Sequence, residues 1–407
     1  MSNDISAAPP QLEDPGPVPS ARAATDTASA NPDSKPAPAS PGSKPRAPRL
    51  AVVDGMRLVA ALSVAGYHYL GIKTPTQWGV SPMAFAYRLH HSLMYGWLGV
   101  EAFFIISGFV ICMSSWGRTP GQFVVSRISR LFPAYWCAIA LIVARIALIP
   151  MQTHSVASLI KPRIVLANLT MMPASLHVGL LDGVAWTLSV EAHFYLLMAA
   201  VLAFGSTYHR MMGFCTIWLV AGFVTQETHS AFLDTFVLSS YTGLFVTGMA
   251  VYLIYRFGQN LMLWMLLGSA WTYELVMLQS RVDAHPADYG TKTLTSWTVC
   301  ALLLTAFLGL LMLATIGPLA RIQWRWLVVA GAMTYPFYLV HQSIGVPMGE
   351  ELTLHVPWLG VWGRIAVTVG SMLLLSWLIY RFVERPLGRL IRQRLTLGLK
   401  EPSEVVR

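Results

Sequence analysis

The sequence predicts an all-α, polytopic membrane protein of about ten transmembrane helices around a central cavity. Three observations lead there. Of 407 residues, 55% are hydrophobic and 12% charged, half the charged share of about 25% in a soluble chain, and mean hydropathy is +0.54. Apolar runs long enough to cross a bilayer, on the order of 20 residues each, recur from residue 50 to residue 383. Basic residues gather in alternate connections, the pattern of a multi-pass chain with one cytoplasmic side.

Residues 1–48 are rich in Pro, Ala and Ser and hold almost no large apolar side chain. Such a segment buries too little surface to offset ordering entropy, so a disordered cytoplasmic tail is expected. It is not a signal peptide: the first apolar run starts late, is long, and lacks an A-x-A cleavage pattern. The transmembrane domain is expected over 49–390. Its runs lie near 50–72, 94–114, 131–150, 184–204, 211–225, 232–255, 261–280, 295–316, 326–346 and 360–383, and a basic cytoplasmic tail follows over 391–407.

With the N-terminus inside, the inner connections hold Lys44, Arg46, Arg49, Arg118, Arg127, Arg130, Arg210, Arg256, Arg321 and Arg325. The outer loops hold only Lys73, Arg88, Lys161, Arg163, Arg281 and Lys292. Both termini are therefore expected in the cytoplasm, and topology accounts for the net charge of +9 without a nucleic-acid partner. The four cysteines, Cys112, Cys137, Cys215 and Cys300, all fall in apolar runs without a C-x-x-C pair. Neither a disulfide framework nor a metal centre is expected.

Charges within the spans cost at least a few kcal/mol on insertion scales, so each one raises a functional question. In DGMRLVAALSVAGYH, residues 54–68, Arg57 and His68 stand eleven residues apart. On an α-helix that spacing places them on one face about 16 Å apart, facing a single channel. The alternative is that Arg57 snorkels to headgroups while His68 bonds a neighbouring helix. In AWTLSVEAHFYLL, Glu191 is flanked by Thr187 and Tyr195 at i−4 and i+4, a polar stripe on one face. Arg57 or His68 are its natural partners, since no other span offers an equally buried cation; a purely structural pair remains the alternative.

Glu101 opens GVEAFFIISGF at the outer boundary with Gly108 near the same face, a pattern that also suits helix packing. Ser107 lacks a G-x-S-x-G elbow. Arg127 and Arg130, in GQFVVSRISRLFPAYW, are i, i+3 neighbours before the third span. They suit either phosphate, which arginine holds bidentately, or anchoring at the inner headgroups. TYPFYLVHQ places Tyr335, Tyr338 and His341 on one broad face, and Glu384 and Arg385 in RFVERPLGRL are placed to pair locally.

These motifs, in this order from about residue 49 to 390, resemble the membrane acyltransferase 3 family of O-acyltransferases. The resemblance implies transfer of an acyl group, most often acetyl, from cytoplasmic acyl-CoA to a hydroxyl of a carbohydrate acceptor, such as lipopolysaccharide, exopolysaccharide or a lipid-linked glycan. It implies residence in a bacterial inner membrane, contact with membrane lipid, acyl-CoA as donor substrate, and no bound cofactor. Carried over by motif, Arg57 and His68 are the functional Arg/His pair, Arg127 and Arg130 the acyl-CoA-binding R-x-x-R, and Glu191 the glutamate of the W-x-L-x-x-E segment. Glu101, Ser107, Trp186, Tyr195, Tyr338 and His341 complete the candidate pocket. Two positions depart from the family pattern: Glu101 replaces an aspartate, and Ser126 stands where many members have an arginine. Too few residues follow the last span for the hydrolase-like domain that some members add. The expected chemistry has His68 as general base, Glu191 orienting it as a triad carboxylate does, and Arg57 at the thioester oxygen. A covalent acyl-His intermediate stays open, as do a secondary transporter using Arg57, His68 and Glu191 as a substrate or proton path and a non-catalytic lipid-binding scaffold.

Overall fold

Each apolar run carries a helix in the computed structural model, which describes residues 50–72, 77–148, 160–284 and 295–396. In chain order these are α1 (Ala51–Gly66), α2 (Leu98–Ser115), α3 (Pro120–Leu148), α4 (Ala185–Ala203), α5 (Tyr208–Thr228), α6 (Ser239–Phe257), α7 (Leu261–Ala284), α8 (Trp297–Thr315), α9 (Arg325–Val340) and α10 (Gly360–Leu378). A basic helix, α11 (Arg385–Thr396), follows. No strand occurs among the described residues. Seven helical stretches there, at α2, α3, α4, α6, α7, α8 and α10, are long and apolar enough to cross a membrane. α1 and α9 have 16 residues each, and α5 carries His209, Arg210, Gln226 and Glu227 near its ends. The chain is an all-α, multi-pass membrane protein. The tail expected over 1–48 lies outside the described residues, as does 397–407 of the expected C-terminal tail.

The tightest packing joins α2 to α6. A Cβ on Gly108 would stand 2.1 Å from the Phe245 carbonyl oxygen, and one on Gly248 2.0 Å from that of Ile105. Only glycine permits this approach, which is how small residues replace a hydrophobic driving force between helices in lipid. Phe194, Trp218 and Phe245 stack across α4, α5 and α6, with ring centroids 4.3 Å and 5.6 Å from Phe194. α1 lies along α9, where Gly331 seats Asp54.

Two helix boundaries differ from expectation, and both matter to the site. GQFVVSRISRLFPAYW is not a connection but the start of α3, leaving only residues 116–119 between α2 and α3. Thr119 and Gln122 form a reciprocal cap: the Thr119 hydroxyl accepts from the Gln122 amide and the Gln122 side chain accepts from the Thr119 amide, both at 3.3 Å. Pro120 then needs no N–H partner in the first turn. At the other boundary, α7 runs to Ala284, so Arg281 is helical rather than in an outer loop.

The end of the first span is also not α-helical. Tyr67–Gly71 forms a π-turn, in which the Ile72 amide donates to the Tyr67 carbonyl at 3.1 Å. Neighbours hold the carbonyls of this turn. Gln77 donates to His68 at 2.9 Å, Trp78 to Tyr69 at 2.7 Å, and His90 Nδ1 to Leu70 at 2.8 Å. Such single-turn π segments occur often at functional sites, and this one sets the direction of His68.

Candidate active site

The polar residues singled out in the spans gather around two adjoining cavities. The inner cavity, of about 50 Å³, is lined by Arg57 of α1, Ser107 of α2, Thr187 and Glu191 of α4, and Tyr335 and Tyr338 of α9. The outer cavity, of about 360 Å³, is lined by His68, Glu101, Trp186, Tyr241, Arg281 and Gln342. Val100 and Tyr338 belong to both walls. Arg57 lines the inner cavity and His68 the outer one. They occupy successive chambers with Tyr338 at the partition.

In the inner chamber the Ser107 hydroxyl donates to Glu191 Oε1 at 2.6 Å. Tyr195 also lies within electrostatic reach of Glu191. Arg57 lies within the electrostatic reach of Glu191, Asp54 and Glu384. The Glu191 carboxylate thus accepts from Ser107 and shares its chamber with the Arg57 guanidinium. Glu384, expected to pair with Arg385, faces Arg130 and Arg57. Thr187 and Tyr338 hydroxyls stand 3.0 Å apart and fix the phenol at the partition.

In the outer chamber the ring of the fully buried His341 stands 5.3 Å, centroid to centroid, from that of His68. His341 Nδ1 lies 2.7 Å from the Tyr338 carbonyl. A carbonyl only accepts, so Nδ1 carries a proton; Nε2 has no hydrogen-bond partner among the described residues. Tyr69 donates to the His341 carbonyl at 2.7 Å, tying the π-turn to the end of α9. Trp186 and Tyr241 lie 5.8 Å apart and give the chamber an aromatic wall.

Three residues here escaped the sequence reading. Arg281 Nε donates to Glu101 Oε1 at 2.9 Å, and its other nitrogens bond Glu274 and the Ser240 carbonyl. Arg281 is a further largely buried cation, and Arg127 and Arg364 are buried too, so the view that no other span offers one is corrected. The signal was present in WTYELVMLQSR: Glu274 and Arg281 are two helical turns apart within an apolar run. The third is Asp182, fully buried before α4, whose Oδ1 accepts from Ser343 at 2.5 Å and from the Val184 amide at 3.4 Å. Burial pushes its carboxyl up to about 7, against the pull of those hydrogen bonds.

At the opposite, basic end, Arg127 and Arg130 separate. Arg127 is buried, with its guanidinium 5.6 Å from the Phe123 ring centroid, whereas Arg130 is exposed. Ser126 accepts from Arg118 at 3.0 Å and from Arg127 at 3.2 Å, so the serine that replaces a family arginine joins two arginines. Among the described residues no group of three or more His, Cys, Asp or Glu is placed to hold a metal ion.

Comparison with known proteins fits this arrangement. Over 125 residues the chain is 35% identical to the exopolysaccharide production protein ExoZ of Rhizobium meliloti (strain 1021), covering 29% of this chain and 38% of ExoZ. Over 129 residues it is 32% identical to BcsY of Komagataeibacter xylinus, named as a membrane-bound transacylase, covering 29% of this chain and 33% of BcsY. The chain thus matches only about a third of the length of each curated relative. No solved structure matches it. A family model described as an acyltransferase domain matches residues 50–381, a stretch that contains α1 to α10 and every residue named as lining the two chambers. On that match the chain belongs to the acyltransferase 3 family.

Proposed function

We propose that the protein is an integral-membrane O-acyltransferase that moves an acyl group, acetyl in the first instance, from cytoplasmic acyl-CoA to a hydroxyl of a polysaccharide or lipid-linked glycan. One observation carries the reading: a chamber with a guanidinium and a chamber with an imidazole adjoin at Tyr338, within the family stretch. The name of ExoZ supports a carbohydrate acceptor. In this reading ten helices span a bacterial inner membrane around a central passage, with both termini in the cytoplasm. The abundance of arginine at the Arg127 end supports placing that end inside.

The donor enters from the basic end, with its phosphates at Arg127 and Arg130, and threads its acyl thioester toward the partition. The acceptor hydroxyl approaches through the outer chamber, against Trp186 and Tyr241. His68 takes the hydroxyl proton as the oxygen attacks the thioester carbon. Arg57, within reach of the Glu191 and Asp54 charges, supplies positive charge toward the partition as the carbonyl oxygen becomes an oxyanion. The C–S bond then breaks, and the CoA thiolate leaves toward the cytoplasm, where it takes up a proton. Glu101 and Arg281 present hydrogen-bonding groups for further hydroxyls of the acceptor.

The test is free-thiol release from acetyl-CoA by the purified protein in nanodiscs, with and without exopolysaccharide acceptor. Acceptor-stimulated release supports the reading. Solute flux without any consumption of acyl-CoA would replace it with the transporter.

A further inference from the structure

The basic end holds a third cavity, of about 270 Å³, outside both chambers. It is lined by Arg118, Gln122, Val125, Ser126, Arg392 and Thr396. Arg118 comes from the α2–α3 connection, the next three from the first turns of α3, and the last two from α11. Gly388 brings α11 there: a Cβ on it would stand 2.6 Å from the Ser129 carbonyl oxygen, so α11 rests directly on the α3 backbone. Arg392 follows Gly388 by four residues and lies on the same face. It comes close enough to Arg118 for the two charges to repel. No carboxylate lines this cavity among the described residues. Ser126 Oγ accepts from both Arg118 and Arg127, which leaves its hydrogen to donate.

Two guanidiniums across a cavity, with hydroxyl and amide donors between them and no carboxylate, fit a dianion. A phosphate monoester carries about −1.5 to −2 charges at neutral pH and matches that charge, whereas a phosphodiester carries only one. We propose that Arg118 and Arg392, with Ser126 and Gln122, form a phosphate-monoester site that takes the 3′-phosphate of the acyl-CoA donor. This rests on the acyl-CoA reading above. Ser126 places the site beside Arg127, as a 3′-phosphate lies beside the diphosphate of the same donor. α11 lies beyond residue 381, the limit of the family match, so its share in the site belongs to this chain's own C-terminal helix.

The experiment compares acetyl-CoA with acetyl-3′-dephospho-CoA in phosphatidylcholine nanodiscs holding the full chain. Wild type is expected to prefer acetyl-CoA by about tenfold in KM, the equivalent of ~1.4 kcal/mol. Arg392→Gln is expected to bring that preference close to onefold, while Arg394→Gln, on the exposed side of α11, keeps it. Equal preference in wild type and Arg392→Gln overturns the proposal. Binding of adenosine 3′,5′-bisphosphate, measured calorimetrically against adenosine 5′-monophosphate, tests the site without turnover. Tighter bisphosphate binding that Arg392→Gln abolishes supports the site even where acyl transfer itself is not found. A requirement for phosphatidic acid, lost in Arg392→Gln with the donor preference intact, assigns the site to a lipid headgroup and overturns the nucleotide assignment.

Discussion

Replacing Arg281 with methionine removes the cation shared by Glu101 and Glu274 while keeping most of the side-chain volume. The two carboxylates have only 4% and 1% side-chain exposure, so neither regains water when the guanidinium goes. Removing one partner of a buried ion pair costs about 3–5 kcal/mol, because the remaining charge is left uncompensated. Over a bundle of this size that corresponds to a loss in melting temperature on the order of 5 °C. Tryptophan fluorescence during heating in detergent, at one fixed scan rate, reads the change. The triple variant Arg281→Met, Glu101→Gln, Glu274→Gln is expected to recover most of the loss, since a neutral cluster of similar volume is often as stable as the ions it replaces. A single variant melting within about 1 °C of wild type, or a triple variant no better than the single, refutes the reasoning.

Gly248→Val is expected to abolish recovery of monodisperse protein, because its Cβ would fall 2.0 Å from the Ile105 carbonyl and α2 has no room to retreat; normal size-exclusion behaviour would contradict the packing. Asp182 carries a proton in the folded state up to about pH 7 but in the unfolded chain only to about 3.8. The folded state thus binds more protons between those values, and stability falls as pH rises through that window, by on the order of 4 kcal/mol in full. Asp182→Asn is expected to flatten the pH dependence of melting between pH 4 and 7; an unchanged slope contradicts it. Glu191→Gln keeps the acceptor for Ser107 but removes the charge beside Arg57. Acceptor-stimulated thiol release is expected to fall at least about tenfold, while Ser107→Ala loses less, and the reverse order would contradict the roles given to them.

The helices were legible because lipid demands long apolar runs, and each of the ten runs carries a helix, although α3 starts well before its run. Arg57, His68 and Glu191 were legible for the same reason, since a charge is conspicuous among apolar neighbours. Their partners were not, because Ser107–Glu191 and Glu101–Arg281 are contacts across helices far apart in sequence. The π-turn at His68 was not legible either: no residue of YHYLG announces it, and Gln77, Trp78 and His90 sustain it from outside the span. Arg127 and Arg130 looked alike at i, i+3. Packing buries one and leaves the other exposed, and a helical wheel holds no information about where the neighbouring helices lie. Arg281 was misplaced by four residues of helix, enough to turn a core ion pair into an apparent loop charge.

Transfer of labelled acetyl from acetyl-CoA to purified exopolysaccharide, by wild-type protein and by His68→Ala in the same nanodiscs, tests the acyl-transfer assignment most directly. Loss of an imidazole general base predicts a fall of at least ~100-fold, with thermal stability close to wild type. Labelled product formed by His68→Ala within about twofold of the wild-type rate would contradict His68 as the base.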